Sequence, residues 1–370
     1  MFDLPARFYE IFFDVFAFVL GATVGSFLNV CIYRLPLGLS VNEPKRSFCP
    51  SCKYQIPFSK NIPLISWLAL GGKCANCGSR ISIRYFGVEL LTALLFLAVW
   101  LKCTAPGQLV FAFPYWILTS LLITATFIDF EHMIIPDEIT KGGVVAGIIL
   151  SAVFPALMRT GSHWQAPLWS ALGAAAGYFS LWGVVEFGKI AFGKKKIALK
   201  QAESFSWERK GEDAELKIGE ETHLWSETFA RESDRFVLQC PEFDLDGKHY
   251  TDANLQFYHD RVVVGETEHK LETLAPFSGK VTAIIIPREA MGFGDVKFLA
   301  AIGAFLGWQA VFFTIASASI IGALVGSVFI VFKRRSVPIP FGPYLAAGAL
   351  IWMFAGWDII HWYLNRMLGD

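Results

Sequence analysis

Long apolar stretches alternate with short polar ones along this chain. A bilayer core of about 30 Å needs roughly 20 mostly apolar residues per spanning helix. Runs of that kind cover Ile11 to Tyr33 and then about 85–104, 111–130, 139–158, 167–192, 296–332 and 342–364. The run 296–332 is too long for one crossing, and Gly307 with Trp308 marks a turn between a short helix and a longer one. The pattern therefore predicts an all-α polytopic membrane protein of about eight transmembrane helices. Ahead of the first run Arg7 is the only basic residue and no small-residue cleavage pattern follows, so this run reads as a retained helix, not a signal peptide.

Two polar segments interrupt the pattern. Residues 34–83 are rich in Lys, Arg, Cys, Pro and Gly and form the first loop. Residues 197–287 carry short β-branched or aromatic stretches, Arg235–Leu238, Leu255–Tyr258, Arg261–Val264 and Lys280–Ile286, divided by Asp-Gly and Gly turns. That punctuation predicts a small, mainly-β inserted domain. The organisation is thus a first helix (1–33), a cysteine loop (34–83), helices two to five (84–196), the insertion (197–287) and a last helical block (288–370).

Composition agrees with a membrane protein: of 370 residues 54% are hydrophobic and 17% charged, against roughly 25% charged in soluble domains. Net charge is zero, but residues 201–290 hold 19 of the 32 acids and 10 of the 32 bases, so an acidic module sits in a basic apolar frame. Nothing in this distribution suggests nucleic-acid binding. Basic residues in short loops mark the cytoplasmic side. Arg34 to Arg84, Lys194 to Lys196 and Lys333 to Arg335 fall on one side of an eight-helix arrangement, with both termini opposite.

Four of the seven cysteines form two pairs, Cys49-Pro-Ser-Cys52 and Cys74-Ala-Asn-Cys77. Two such knuckles present four thiolates to a zinc ion and hold together a loop too small for its own core. Four protein ligands leave no open position, so the metal is structural. Cys31, Cys103 and Cys240 read as packing residues. Acids in or at the ends of membrane helices are expensive and mark function. Asp129 ends the third apolar run, and Asp295 opens the sixth in Gly292-Phe293-Gly294-Asp295. The topology places both at cytoplasmic helix ends, where neighbouring carboxylates share a proton and divide the roles of base and acid. Glycines at 292 and 294 suit a backbone approached by an extended peptide. The plainer reading is that both are helix-end residues, Asp295 as an N-cap. Asp137 reads as a cap of the fourth helix, Glu131 and His132 as solvated, Lys297 as a surface lysine or a contact for substrate carboxylates, and Leu172–Gly177 as close helix packing.

Taken in order, Gly25–Val30 with Tyr33-Arg34-Leu35-Pro36, the two knuckles, Asn61–Leu68, Ile81–Tyr85 with Val88–Thr92, Asp129 with Ile135-Pro136-Asp137, Met291–Lys297 and Pro340-Phe341-Gly342-Pro343 resemble the bacterial type IV prepilin peptidases, aspartic proteases of the GxGD class. The resemblance implies that Asp129 and Asp295 are the catalytic pair. It also implies a prepilin or pseudopilin substrate, cut after a short basic leader at the cytoplasmic face of the bacterial inner membrane, with the new N-terminus methylated from S-adenosylmethionine. No Rossmann-type glycine fingerprint is present. Arg84 and Glu89, a charged pair where the cysteine loop meets the second helix, are the candidates for cofactor or amine contacts, or else an ion pair anchoring the loop. Typical members lack segment 197–287. A transporter is disfavoured because its acids lie mid-span, and a silent assembly protein because both aspartates are retained.

Overall fold

The computed structural model describes residues 6–44, 46–192, 194–210, 213–219, 221–225, 235–287, 292–331 and 340–368. Met291 and the basic cluster Lys333–Arg335 lie outside them. The chain divides into two compact units, one of Met1–Trp182 with Gly292–Asp370 and one of Gly183–Met291.

The first unit is helical, and of the helix Gln165–Phe192 only the part up to Trp182 belongs to it. Its elements are α1 (Ala6–Arg34), the short α2 (Ile65–Ala69), α3 (Ile83–Cys103), α4 (Ala112–His132), α5 (Asp137–Val153), α6 (Gln165–Phe192), α7 (Phe293–Leu306), α8 (Trp308–Val331) and α9 (Gly342–Leu368). Each apolar run of the sequence is thus a helix. The expected break falls at Gly307, whose φ of +83° is forbidding to side chains and separates α7 from α8. Among the described residues, α1, α3, α4, α6, α8 and α9 supply six stretches long and apolar enough to cross a membrane. α5, at 17 residues, and α7, at 14, are shorter. α5 stops at Val153 because Pro155 follows, although its apolar run continues to about 158. Large apolar side chains such as Ile320, Leu324 and Val328 on α8 are exposed, as they would be if facing lipid.

Packing inside the unit depends on small residues. A methyl on Gly173 of α6 would lie 2.2 Å from the carbonyl oxygen of Gly303, and one on Gly177 would lie 2.4 Å from that of Leu299, so the backbones of α6 and α7 touch. This is the close packing expected of the stretch 172–177. α1 and α3 meet in the same way through Gly21 and Gly25.

The second unit contains one antiparallel sheet of eight strands: β1 (Lys194–Lys210), β2 (Asp213–Ile218), β3 (Glu221–Leu224), β4 (Arg235–Leu245), β5 (Lys248–Tyr258), β6 (Arg261–Val264), β7 (Thr267–Lys270) and β8 (Phe277–Pro287), in the order β3-β2-β1-β8-β4-β5-β6-β7. The four stretches foreseen as strands lie within β4, β5, β6 and β8. β1 begins three residues earlier than the expected boundary, so Lys194–Lys196 belong to a strand and not to a loop. First and last strands pair directly, Lys194 opposite Pro287, so the chain enters and leaves the sheet side by side, as an insertion must. Trp207, Trp225, Phe236, Phe257 and Phe277 form a shared aromatic core.

Candidate active site

Asp129 lies in the last turn of α4 and is 5% exposed. Its Oδ2 accepts a 2.9 Å hydrogen bond from the backbone N–H of Gly342, the first residue of α9. Only glycine permits that approach, because a methyl on residue 342 would stand 2.7 Å from Oδ2 and 3.0 Å from Ile135 Cδ1. Asp295 is 7% exposed in the first turn of α7. Gly292 (φ −68°, ψ 142°) occupies the N-cap position, so Asp295 lies inside the helix and is not its cap. One residue before it, a methyl on Gly294 would lie 3.3 Å from the Cβ and N of Ile135. Ile135 is therefore a shared neighbour of Gly342, which binds Asp129, and of Gly294 at the start of α7.

A second link fixes this arrangement. Asp137 follows Pro136, which takes the N-cap position of α5, so Asp137 is the first helical residue and not the cap expected from the sequence. Its carboxylate meets Lys297 Nζ of α7 at 2.5 Å and Lys141 Nζ at 2.7 Å. The turn between α4 and α5, which carries Ile135, is thereby tied to the segment that carries Asp295. Glu131 and His132 are exposed, as expected.

Arg84 and Glu89 do not form the expected pair. Arg84 Nη1 bonds to Glu131 Oε2, joining the start of α3 to the end of α4, and its guanidinium lies 5.0 Å from the ring of Tyr85. Glu89 is buried and accepts a 2.7 Å bond from the N–H of Leu64. Leu64 has a φ of +64°, an uncommon backbone state for a leucine, held by that carboxylate at the entry to α2.

The four cysteines of the knuckles converge, with their sulfurs all within 4.8 Å of one another. Around a tetrahedral zinc with bonds of about 2.3 Å, thiolates lie about 3.8 Å apart, and Cys49 Sγ and Cys77 Sγ are 3.9 Å apart. The two knuckles are built alike. Cys49 C=O accepts from Lys53 N–H, Cys74 C=O accepts from Gly78 N–H, and both Lys53 and Gly78 have positive φ. The hydroxyl of Ser79 lies 3.5 Å from Cys49 Sγ and 3.1 Å from Cys77 Sγ. That contact pulls the Cys49 thiol down to about 6 and the Cys77 thiol below its usual value. Donor number, donor type and spacing all fit a closed metal site.

Residues 19–103 match the family described as bacterial peptidase A24 N-terminal domain, and residues 116–208 with 273–327 match the type IV leader peptidase family. A prepilin leader peptidase/N-methyltransferase of Aeromonas hydrophila is 30% identical over 376 residues, covering 95% of this chain and 93% of its own. The chain belongs to the type IV leader peptidase family. A relative of the same description from Myxococcus xanthus (strain DK1622) is 41% identical over 212 residues, 55% of this chain and 59% of its own. Another from Legionella pneumophila is 28% identical over 369 residues, covering 92% and 91%. No solved structure matches. The family profile leaves a gap at 209–272, inside the β unit, and its two matched stretches carry Asp129 and Asp295.

Several participants at this site were not legible as such. Gly342 lay in a stretch noted only for its resemblance, and Ile135 in another. Nothing in their spacing says that one binds Asp129 and the other packs against both Gly342 and Gly294, since they are 207 positions apart and meet only through helix packing.

Proposed function

We propose that this protein is a multi-pass aspartic endopeptidase of the bacterial inner membrane that removes the basic leader from type IV prepilins or pseudopilins at the cytoplasmic face, and then N-methylates the new terminus. The observation that carries the reading is the burial of both Asp129 and Asp295, with Ile135 packed against the Gly342 that binds Asp129 and the Gly294 that precedes Asp295, in a chain of the type IV leader peptidase family. All eight apolar helices are assigned as spanning. The cysteine loop, the two aspartates and the β insertion then share the cytoplasmic side, where the basic loops lie.

In this site the aspartates share one proton. The ionised carboxylate draws a proton from water as it attacks the scissile carbonyl, and the protonated one donates to the carbonyl oxygen. The Gly342 N–H orients the Asp129 carboxylate, and Gly294 lets the start of α7, which carries Asp295, pack closely on Ile135. Cys49, Cys52, Cys74 and Cys77 hold a zinc ion that closes the first loop without entering the chemistry. S-adenosylmethionine, when bound, supplies the methyl group for the amine released by cleavage. Incubating the purified protein in detergent with a prepilin and weighing the products tests both halves: loss of the leader mass reports cleavage, and a further 14 Da on the mature chain, the mass of one added methylene, reports methylation. An unchanged substrate mass refutes the peptidase reading.

A further inference from the structure

Asp129 and Asp295 stand on different helices, so their separation depends on how the end of α4 lies against α7. The Gly342 bond ties Asp129 to α9 and not to α7. The contact of Ile135 with Gly294 does reach α7, but apolar contact is non-directional and lets two surfaces slide. Polar links must therefore hold the register. The connection from α4 to α5 is short: Met133, at φ +55°, closes α4 by donating its N–H to the carbonyl of Asp129 itself, and Pro136 already occupies the N-cap of α5. A shift of this turn is thus passed directly to the backbone of Asp129.

The turn is held at both ends by ion pairs to other helices. On its α4 side Glu131 meets Arg84 of α3, and on its α5 side Asp137 meets Lys297 of α7, two residues beyond Asp295. In both pairs the cation is the sheltered partner: the side chains of Arg84 and Lys297 are 16% and 28% exposed, less than either acid. Each cation also rests near a ring of its own helix, Arg84 at 5.0 Å from Tyr85 and Lys297 at 5.5 Å from Phe293, which limits the wandering of a long side chain. The second partner of Asp137, Lys141, lies in α5 as well and joins it to no other helix. Partly exposed ion pairs add little to global stability, so what these two supply is position.

We propose that Arg84, Glu131, Asp137 and Lys297 are positioning residues for leader removal: their two ion pairs clamp the α4–α5 turn at both ends and hold Asp129 in working register with Asp295. The proposal rests on the reading of those two aspartates as the cutting pair. Misplacing a catalytic group by about 1 Å can cost on the order of 100-fold in rate, so a turn loosened at one end slows the chemical step. Substrate binding, spread over several helices, changes little. Each pair acts as one unit, and the two units act at opposite ends of the turn.

Steady-state leader removal from a purified prepilin by the whole chain in detergent separates kcat from KM. Arg84→Gln, Glu131→Gln, Asp137→Asn and Lys297→Met each lower kcat roughly tenfold and leave KM within about twofold, with thermal unfolding close to that of the wild type. Asp137→Asn combined with Lys297→Met is no slower than the slower of the two, because partners in contact are not additive. Arg84→Gln combined with Lys297→Met multiplies the two losses. Lys297→Arg keeps the charge and most of the rate, and Lys141→Met keeps the wild-type rate. Wild-type kcat in all four single variants, alongside an inactive Asp129→Asn, overturns the clamp and leaves the cutting pair standing. A loss that falls mainly in KM, or that is matched by a fall in thermal stability, also overturns the clamp, since the pairs would then serve binding or folding. Full processing by Asp129→Asn overturns the cutting pair and the clamp with it.

Discussion

Replacing Gly342 with alanine places one methyl group against the Asp129 carboxylate. The added Cβ would stand 2.7 Å from Oδ2 and 3.0 Å from Ile135 Cδ1, where ordinary contacts to carbon begin nearer 3.4 Å. Ile135 is buried between this contact and Gly294, so it has little room to retreat. The carboxylate must turn or shift by several tenths of an ångström, and the 2.9 Å bond from Gly342 N–H is lengthened or lost. Hydrogen bonds to charged groups contribute about 1.5–3 kcal/mol. If Asp129 is one of the two catalytic acids, the expected fall in kcat is therefore roughly 10- to 100-fold, at about 1.4 kcal/mol per factor of ten. The substrate meets the helices elsewhere as well, so KM changes less than kcat. Steady-state leader removal from a purified prepilin in detergent measures both constants. Gly326→Ala is the comparison, because a methyl there meets nothing within 4 Å. A Gly342→Ala protein with wild-type kcat would show that the Asp129–Gly342 contact has no part in catalysis and would weaken the assignment of Asp129.

Asp129→Asn and Asp295→Asn should each abolish leader removal while the protein still inserts and folds, because neither carboxylate can perform the other's half of the protonation cycle; full processing by either variant refutes the dyad. Replacing Cys49 and Cys52 with serine, or stripping metal with a chelator, should lower thermal stability and suppress methylation more than cleavage, since the four-thiolate site is closed; elemental analysis showing no zinc in the wild type refutes this. Exchanging residues 198–286 for a short Gly/Ser linker tests whether the acidic insertion attracts the basic leader: KM should rise at low salt with kcat nearly unchanged, and a KM with unaltered salt dependence removes that role.

The helical frame was legible in the sequence because burial in lipid leaves a strong local signal. A run of some 20 apolar residues has few alternatives to a helix, and Gly307 announces its break by itself. The convergence of the four cysteines was equally legible, since two CxxC pairs carry their geometry in their spacing. Half of the sheet was visible in β4, β5, β6 and β8, where β-branched and aromatic residues alternate. β1 was not, because Lys194–Lys210 is rich in charge and takes its strand form from pairing with β2 and β8. What only the tertiary structure decided are the partnerships between distant residues. Arg84 chose Glu131 over Glu89, Asp137 bound Lys297 in place of capping its helix, and Gly342 donated to Asp129 across 213 positions. Such contacts depend on the angles and depths at which helices cross, set by small residues such as Gly25, Gly173 and Gly177. Those angles are properties of whole packed surfaces, and no local pattern of residues encodes them.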